Sequence, residues 1–188
     1  MSEEISSSNL IELISGRRTI HKFKEGLCPR GKLIEAIDLA RWAPNHHLTE
    51  PWHFYLLGDE TVNAVIELNS EIVRVSKGDE AATAKERRWR KMPGWFVMTC
   101  CRSDDPIRNQ EDYAASCCAV QNLMLTLWNK DVGVKWSTGD VIRDKRFYDL
   151  LWIDQELETV VGLFWYGYAE EVPKMTRKPC LQITTELP

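Results

Sequence analysis

The sequence lacks the signatures of two large classes of proteins. Its 188 residues contain no run of about 18 apolar residues, so we predict no membrane-spanning helix. Its 24 lysines and arginines are outnumbered by 28 aspartates and glutamates, and the net charge of −4 disfavours a general nucleic-acid-binding surface, which needs a basic surplus. We therefore expect neither a membrane nor a nucleic acid as its partner.

Export and disulfide signatures are missing as well. The segment Met1–Asn9 is serine-rich and has no apolar core, unlike an export signal. The six cysteines form no Cys-x-x-Cys pair. Four of them stand side by side, as Cys100-Cys101 and Cys117-Cys118, inside apolar stretches, while Cys28 and Cys180 stand alone. We interpret the paired cysteines as reduced, structural thiols and expect a cytoplasmic protein.

Familiar catalytic motifs are absent too. No G-x-G-x-x-G follows a strand, and there is no G-x-x-x-x-G-K-[ST] loop and no G-x-S-x-G elbow. His46, His47 and Glu50 share one loop and are suitable metal ligands, but no residues complete the set, so we predict no metal site. Any phosphate must be held by side chains, and a bound cofactor rather than a catalytic side chain must carry the chemistry.

What the sequence does contain is a dense basic turn, Gly16–Lys24. Within it, the adjacent Arg17 and Arg18 offer planar forks of donors to phosphate oxygens, and Thr19 adds a hydroxyl. This pattern predicts a phosphate clamp behind a short amphipathic helix, and a solvated basic loop is the alternative interpretation. A second basic group follows Pro173 near the other end of the chain.

The periodicity of apolar residues indicates irregularly alternating helices and strands. It predicts helices over about 29–43, 60–74 and 109–129, with a further helix ending near Pro93. It predicts strands over 52–57, 95–101, 133–139 and 159–168. The continuous apolar run 95–101 is typical of a buried central strand. The helix 109–129 is apolar around most of its circumference, which a subunit interface would cover. The basic run 87–91 is interpreted as a solvated helix face.

Three motifs in this order resemble the nitroreductase family of FMN-dependent oxidoreductases. They are Arg17-Arg18-Thr19-Ile20-His21-Lys22-Phe23, Ala40-Arg41-Trp42-Ala43-Pro44 and Pro51-Trp52-His53-Phe54. The family pattern is R-R-S-x-R-x-F, then A-x-x-A-P, six variable residues and P-W-x-F. The similarity covers nearly the whole chain and is greatest to the small, minimal branch of the family.

The resemblance implies an α+β fold, in which helices flank a central, mostly antiparallel sheet within a single domain, residues 1–188. It also implies an intertwined homodimer with FMN at the interface, and ping-pong reduction of nitroaromatics, quinones or similar electron-poor acceptors by NADH or NADPH. The alternatives are a flavin-storage protein without turnover, or reduction of another acceptor by dehalogenation or enoyl-type chemistry.

The resemblance also assigns roles to residues. Arg17 and Thr19 look like ligands of the FMN phosphate and ribityl chain, with Arg18 on the same turn and Arg177 completing the phosphate site. His46 resembles a position supplied by the partner subunit. The flavin ring is expected to lie beside the strand-end loop of Trp136, Ser137 and Thr138.

Two positions depart from the family pattern. His21 stands where a lysine or arginine usually lies near the flavin pyrimidine edge, and Glu50 stands where glutamine usually precedes Pro-Trp. Histidine is neutral or charged near pH 7 according to its surroundings. The reduction potential of a flavin beside His21 can therefore differ from the value usual in the family. Glu50 either faces the flavin, where its charge opposes reduction, or faces solvent.

Overall fold

The structure is a computed structural model that describes residues 7–26 and 30–188. Most of the segment on which the export expectation rests, and the isolated Cys28, lie outside these described residues.

Four antiparallel strands form one sheet in the order β1-β2-β4-β3. The strands are Trp52–Leu56 (β1), Gly94–Cys101 (β2), Val132–Ser137 (β3) and Glu158–Tyr168 (β4). The two central strands are buried over nearly their whole length, which confirms the interpretation of the apolar run 95–101. The sheet therefore has two edges, β1 and β3, and the N-terminal basic turn lies against the β3 edge.

The described residues form six α-helices, five of which contribute to the cores on the two faces of the sheet. They are Ser7–Gly16 (α1), Arg30–Ala40 (α2), Asp59–Lys77 (α3), Asp79–Trp89 (α4), Pro106–Trp128 (α5) and Lys145–Leu151 (α6). Helices α2 and α5 contribute to the core on one face, while α3, α4 and α6 contribute to the core on the other. This arrangement confirms the α+β fold with a central antiparallel sheet. None of the described helices is long and apolar enough to cross a membrane.

Local capping explains where the sequence analysis misplaced or missed a helix. Helix α5 begins earlier than expected because Asp105 accepts a hydrogen bond from the Ile107 backbone N–H, and Pro106 occupies the first turn. Helix α6 was missed altogether. The Asp144 side chain caps it by accepting from the Arg146 N–H, but its seven residues are too few to show a helical period.

Aromatic side chains fill both cores. On the α5 side, the rings of Phe96 and Phe164 stack with their centroids 4.6 Å apart. On the other side, Trp89, Trp95 and Trp165 form a buried trio of edge-to-face contacts with centroid distances of 5.1 to 5.5 Å. Such pairs are each worth about 0.5–1.5 kcal/mol beyond the area they bury.

The cysteines of the described residues are free thiols. Burial raises the pKa of Cys100 to about 11, and burial is also the largest cause of the raised pKa values of Cys101 and Cys117. A raised pKa keeps a thiol protonated and unreactive. Cys100 is buried, as expected of a structural cysteine, whereas Cys101 and Cys118 are exposed, which corrects that interpretation for these two residues.

The N-terminal basic turn is attached to the β3 edge by backbone pairing. Thr19 forms a parallel bridge with Val134, the Ile20 N–H donates to the Val134 carbonyl at 3.2 Å, and Phe23 forms an antiparallel bridge with Ala169. The Ile20 side chain is fully buried against Gly133, where an added Cβ would lie 2.3 Å from Ile20 Cγ1. The lack of a side chain at Gly133 thus allows the turn to approach the sheet.

We expect Gly133→Ala to destabilise the protein by about 1–3 kcal/mol, because the new methyl group forces Ile20 away from β3. Urea unfolding measures the change. Gly31→Ala is the matched control: an added Cβ there meets no atom within 4 Å and favours helix α2. Equal stability of Gly133→Ala and the wild-type protein would contradict the close packing.

Candidate functional site

Three arginines from the two ends of the sequence interact electrostatically, and Arg17 and Arg18 lie on the turn that pairs with the β3 edge. The half-buried Arg17 has a lowered pKa, first because of burial and then because of the positive charges of Arg18 and Arg177. Among the described residues no carboxylate pairs with any of the three. Arg18 donates side-chain hydrogen bonds to the backbone carbonyls of Ser15 and Arg17, and Arg177 donates to that of Thr176. We call Arg17, Arg18 and Arg177 the arginine cluster.

A second group of cations lies around His21. The pKa of this exposed imidazole is lowered by partial desolvation and then by the charges of Lys135 on β3 and Arg88 on α4. Burial followed by the charges of Arg88 and Lys85 also lowers the pKa of Lys135. We call Lys85, Arg88 and Lys135 the lysine cluster.

The two lysines of the lysine cluster lie over two rings of the tryptophan trio. Lys135 Nζ is 5.2 Å from the centroid of the Trp165 ring, and Lys85 Nζ is 5.4 Å from that of Trp89. The two indole rings are themselves 5.1 Å apart. Cation–π attraction therefore holds two like charges close together at the rim of the core.

The sequence analysis missed the lysine cluster. It interpreted the basic run 87–91 as a solvated helix face, and Arg87, Arg88 and Arg90 are indeed exposed. The i, i+3 spacing of Lys85 and Arg88 puts them on one side of α4, but no local pattern indicates that Lys135 of a different element joins them.

Trp136, Ser137 and Thr138 come directly after Lys135, at the end of β3. Trp136 stacks on Phe164 with centroids 5.5 Å apart, and its Nε1–H donates to the Val161 carbonyl at 3.0 Å. Ser137 pairs with β4 at the end of the strand, and the Thr138 carbonyl accepts a hydrogen bond from Arg143. These contacts fix the backbone beside the two cation clusters.

His46 does not join these residues within one chain. Its loop leads into β1, at the opposite edge of the sheet from β3, and three inter-strand spacings of about 4.8 Å separate the two edges. His46 Nδ1 lies 3.0 Å from a carboxylate oxygen of Glu111 on α5. The structure thus brings the other sequence-predicted site residues to the β3 side and leaves His46 apart.

The loop that carries His46 has an unusual backbone. Three non-glycine residues adopt a positive φ, which side chains disfavour: His47 (64°), Leu48 (51°) and Glu50 (44°). The Asn45 side chain accepts from the Glu50 N–H at 2.7 Å, and Thr49 donates to the buried Asp112. The Glu50 side chain is exposed in the single chain.

The candidate metal ligands in the structure differ from those that the sequence suggested. The structure places Glu111, and not Glu50, beside His46 and His47, with ligand atoms within 4.8 Å of one another. The two imidazole rings stack with centroids 3.8 Å apart. Within the part of the chain that the structure describes, no fourth His, Cys, Asp or Glu belongs to this group.

The two cation clusters suit one elongated anionic ligand. Arg17 and His21 are four residues apart on a segment paired with β3, a span of at most about 13 Å if it is fully extended. A phosphate is matched by guanidinium forks at one end, and a polar ring edge is matched by the donors around His21 at the other. The donor set of the site therefore fits a flat ring that carries a phosphate on a flexible chain.

Comparison with known proteins agrees with this geometry. The profile of the Nitroreductase family matches residues 14–168. YfhC of Bacillus subtilis (strain 168), whose name ascribes NAD(P)H nitroreductase activity to it, is 29% identical over 175 residues, which cover 91% of this chain and 90% of that protein.

Two solved structures share the fold. A nitroreductase-like family protein from Bacillus cereus superposes with a TM-score of 0.84 at 26% identity, covering 100% of this chain and 98% of that one. A protein of Desulfovibrio desulfuricans in complex with FMN gives a TM-score of 0.76 at 16% identity, covering 95% and 96% of the two chains. Since the family profile covers most of the sequence, the chain belongs to the nitroreductase family.

Proposed function

We propose that this protein is an FMN-dependent NAD(P)H oxidoreductase that reduces nitroaromatics, quinones or similar electron-poor acceptors. The observation that carries the proposal is the arginine cluster, where the charges of Arg18 and Arg177 act on the half-buried Arg17 and none of the three has a carboxylate partner among the described residues. Family membership supports the activity, and so do the name of the Bacillus subtilis relative and the FMN in the Desulfovibrio desulfuricans structure.

The chain's own residues would hold the cofactor at both ends. Arg17, Arg18 and Arg177 bind the phosphate, and Thr19 hydrogen-bonds the ribityl chain. His21 faces the pyrimidine edge of the ring. Because partial desolvation, and then the charges of Lys135 and Arg88, lower its pKa, His21 is a neutral hydrogen-bond donor there near pH 7. Trp136, Ser137 and Thr138 flank the ring at the end of β3.

The redox chemistry belongs to the cofactor. When bound, FMN would supply hydride-transfer chemistry between NADH or NADPH and the acceptor, in a ping-pong cycle. The protein contributes position and electrostatics, and no side chain acts as a general acid.

We further propose that two copies of this single domain form an intertwined homodimer, so that His46 of one subunit reaches the flavin held by the other. The placement of His46 at the far edge of the sheet supports this arrangement. So do large apolar side chains that stay exposed in one chain, including Trp42 at 71% and Leu48 at 83%. We place the enzyme in the cytoplasm, as the sequence analysis expects.

An absorbance spectrum and an anaerobic titration test the function. We expect a yellow dimer whose flavin absorbance near the visible maximum is bleached by NADH or NADPH and restored by menadione or nitrofurazone. If NADH and NADPH leave the bound flavin oxidised, the result would favour a flavin-storage protein without turnover. A reduced flavin that neither acceptor reoxidises would point to a different acceptor, and a colourless protein that refuses added FMN would end the proposal.

Arg17→Ala should weaken FMN binding by about 10- to 150-fold, because it removes charge-assisted hydrogen bonds worth about 1.5–3 kcal/mol. Equilibrium dialysis of the refolded or purified apoprotein against FMN measures the change, and circular dichroism checks the fold. Arg74→Ala is the control, since it removes an exposed arginine that pairs only with Asp79 on the far side of the α3–α4 break. Equal losses in the two variants would contradict the role of the arginine cluster.

The His21 imidazole should titrate below its usual pKa of about 6.5 in the apoprotein, as followed by NMR of the ring protons. Since its folded-state pKa lies below the unfolded one, protonation favours unfolding, and this residue lowers stability as the pH falls below about 6.5. In Lys135→Met the pKa should move part of the way back. An unchanged pKa in that variant would show that Lys135 does not act on His21.

A further inference from the structure

A short turn after β3 fixes the backbone at the end of that strand. Arg143 donates from its guanidinium to the Thr138 carbonyl at 2.8 Å, and the Ile142 N–H donates to the Gly139 carbonyl at 3.2 Å. The turn Asp140–Arg143 is itself anchored, because the side chains of its two central residues are buried in the core on the α3 side of the sheet. Two consecutive carbonyl groups are therefore held by one anchored segment.

The Arg143 guanidinium is available for this contact because the neighbouring carboxylate is engaged elsewhere. Asp144 accepts hydrogen bonds from the side chain of Arg146, and the two residues form an ion pair at 2.8 Å. Within the described part of the chain, Arg143 forms no ion pair, and its side chain donates to Thr138 alone. This exposed arginine thus stabilises the backbone rather than a surface ion pair.

The same hydrogen bond also fixes a backbone donor. The Thr138 carbonyl and the Gly139 N–H belong to one planar peptide group, in which they point in opposite directions. Gly139 is exposed, and among the described residues no group accepts a hydrogen bond from its N–H. A glycine backbone is freer than any other to rotate when nothing holds it. Arg143 therefore keeps an unpartnered N–H donor in one orientation, directed away from its own guanidinium.

We propose that Arg143 is a positioning residue for the ring of the cofactor: it holds the Thr138 carbonyl so that the Gly139 N–H donates to an acceptor atom at the edge of the ring. The inference rests on the proposed function, which places the ring beside Trp136, Ser137 and Thr138. Arg143 acts through the loop and not by direct contact with the cofactor. A donor that is fixed before the ring arrives loses little conformational entropy on binding, and this is the advantage of the anchored turn.

The affinities for two flavins test whether Arg143 acts at the ring. The apoprotein is titrated with FMN and with riboflavin, which has the same ring and no phosphate, and the change in flavin fluorescence reports binding. We expect Arg143→Gln to weaken the binding of both flavins by about three- to tenfold, the equivalent of one net hydrogen bond. Arg17→Ala should instead weaken the binding of FMN and leave that of riboflavin unchanged, because the arginine cluster binds the phosphate.

The visible absorbance band of the bound flavin gives a readout that a merely structural role would not move. Loss of an N–H donor at the ring should shift this band in Arg143→Gln. Lys145→Gln is the matched control, since it removes one positive charge from an exposed side chain that has no hydrogen bond or ion pair among the described residues. The control should change neither the band nor the affinity for either flavin.

The order of the loop is measured without any cofactor. In the ¹⁵N-labelled apoprotein, the heteronuclear NOE of the Gly139 amide should have the value of rigid backbone, and it should fall in Arg143→Gln but not in Lys145→Gln. If Arg143→Gln fails to fold, Arg143→Lys replaces it and is judged by the same criteria. Arg143→Lys keeps the charge, but its side chain ends one bond before the position of the guanidinium nitrogens.

The outcomes separate the role of Arg143 from the proposed function. A wild-type protein that binds neither flavin overturns both. If the wild-type protein binds both flavins and Arg143→Gln changes neither the riboflavin affinity nor the absorbance band, only the role of Arg143 is overturned, even if Gly139 becomes mobile. A loss confined to FMN overturns it too, because Arg143 would then act on the phosphate. Equal NOE values in the two proteins would show that the hydrogen bond does not fix the loop, and would overturn the role as well.

Discussion

The short parallel pairing between Thr19–Ile20 and β3 is the interaction on which the rest of the site depends. The hydrogen bond from the Ile20 N–H to Val134 fixes the basic turn to the sheet edge, and the buried Ile20 side chain anchors it in the core. Without this attachment the turn would be a solvated basic loop. With it, Arg17 and His21 are held at defined positions along one strand, and each meets cations from distant parts of the sequence.

Much of the fold was accessible from local patterns. The apolar run 95–101 forms a central strand and the long apolar helix forms α5, because burial on both faces leaves a continuous hydrophobic signature. Helix α6 escaped because its start is set by a single side-chain cap and its length is too short for periodicity. The order of the three motifs was enough to identify the family, and the family profile matches the region that contains them.

The candidate site was only partly accessible. Arg17, Arg18 and Thr19 are neighbours in the sequence, so their shared chemistry is visible in one line of text. Lys135 is far in the sequence from Arg88 of α4, whose charge acts on it. The packing of α4 against the sheet brings the two charges together, and no local pattern in the sequence indicates it. The role of His46 stays a prediction: the resemblance assigns it to a site of the partner subunit, and within one chain it lies at the other edge of the sheet.

The loop from Asn45 to Glu50 already holds three non-glycine residues at positive φ, a conformation that costs of order 1 kcal/mol or more for each of them. Asn45, Thr49 and Asp112 maintain it through side-chain hydrogen bonds. A segment whose backbone is fixed before a second molecule arrives loses little conformational entropy when it docks. Hydrogen bonds within one chain thus set the backbone of this loop before any opposing surface contacts its histidines.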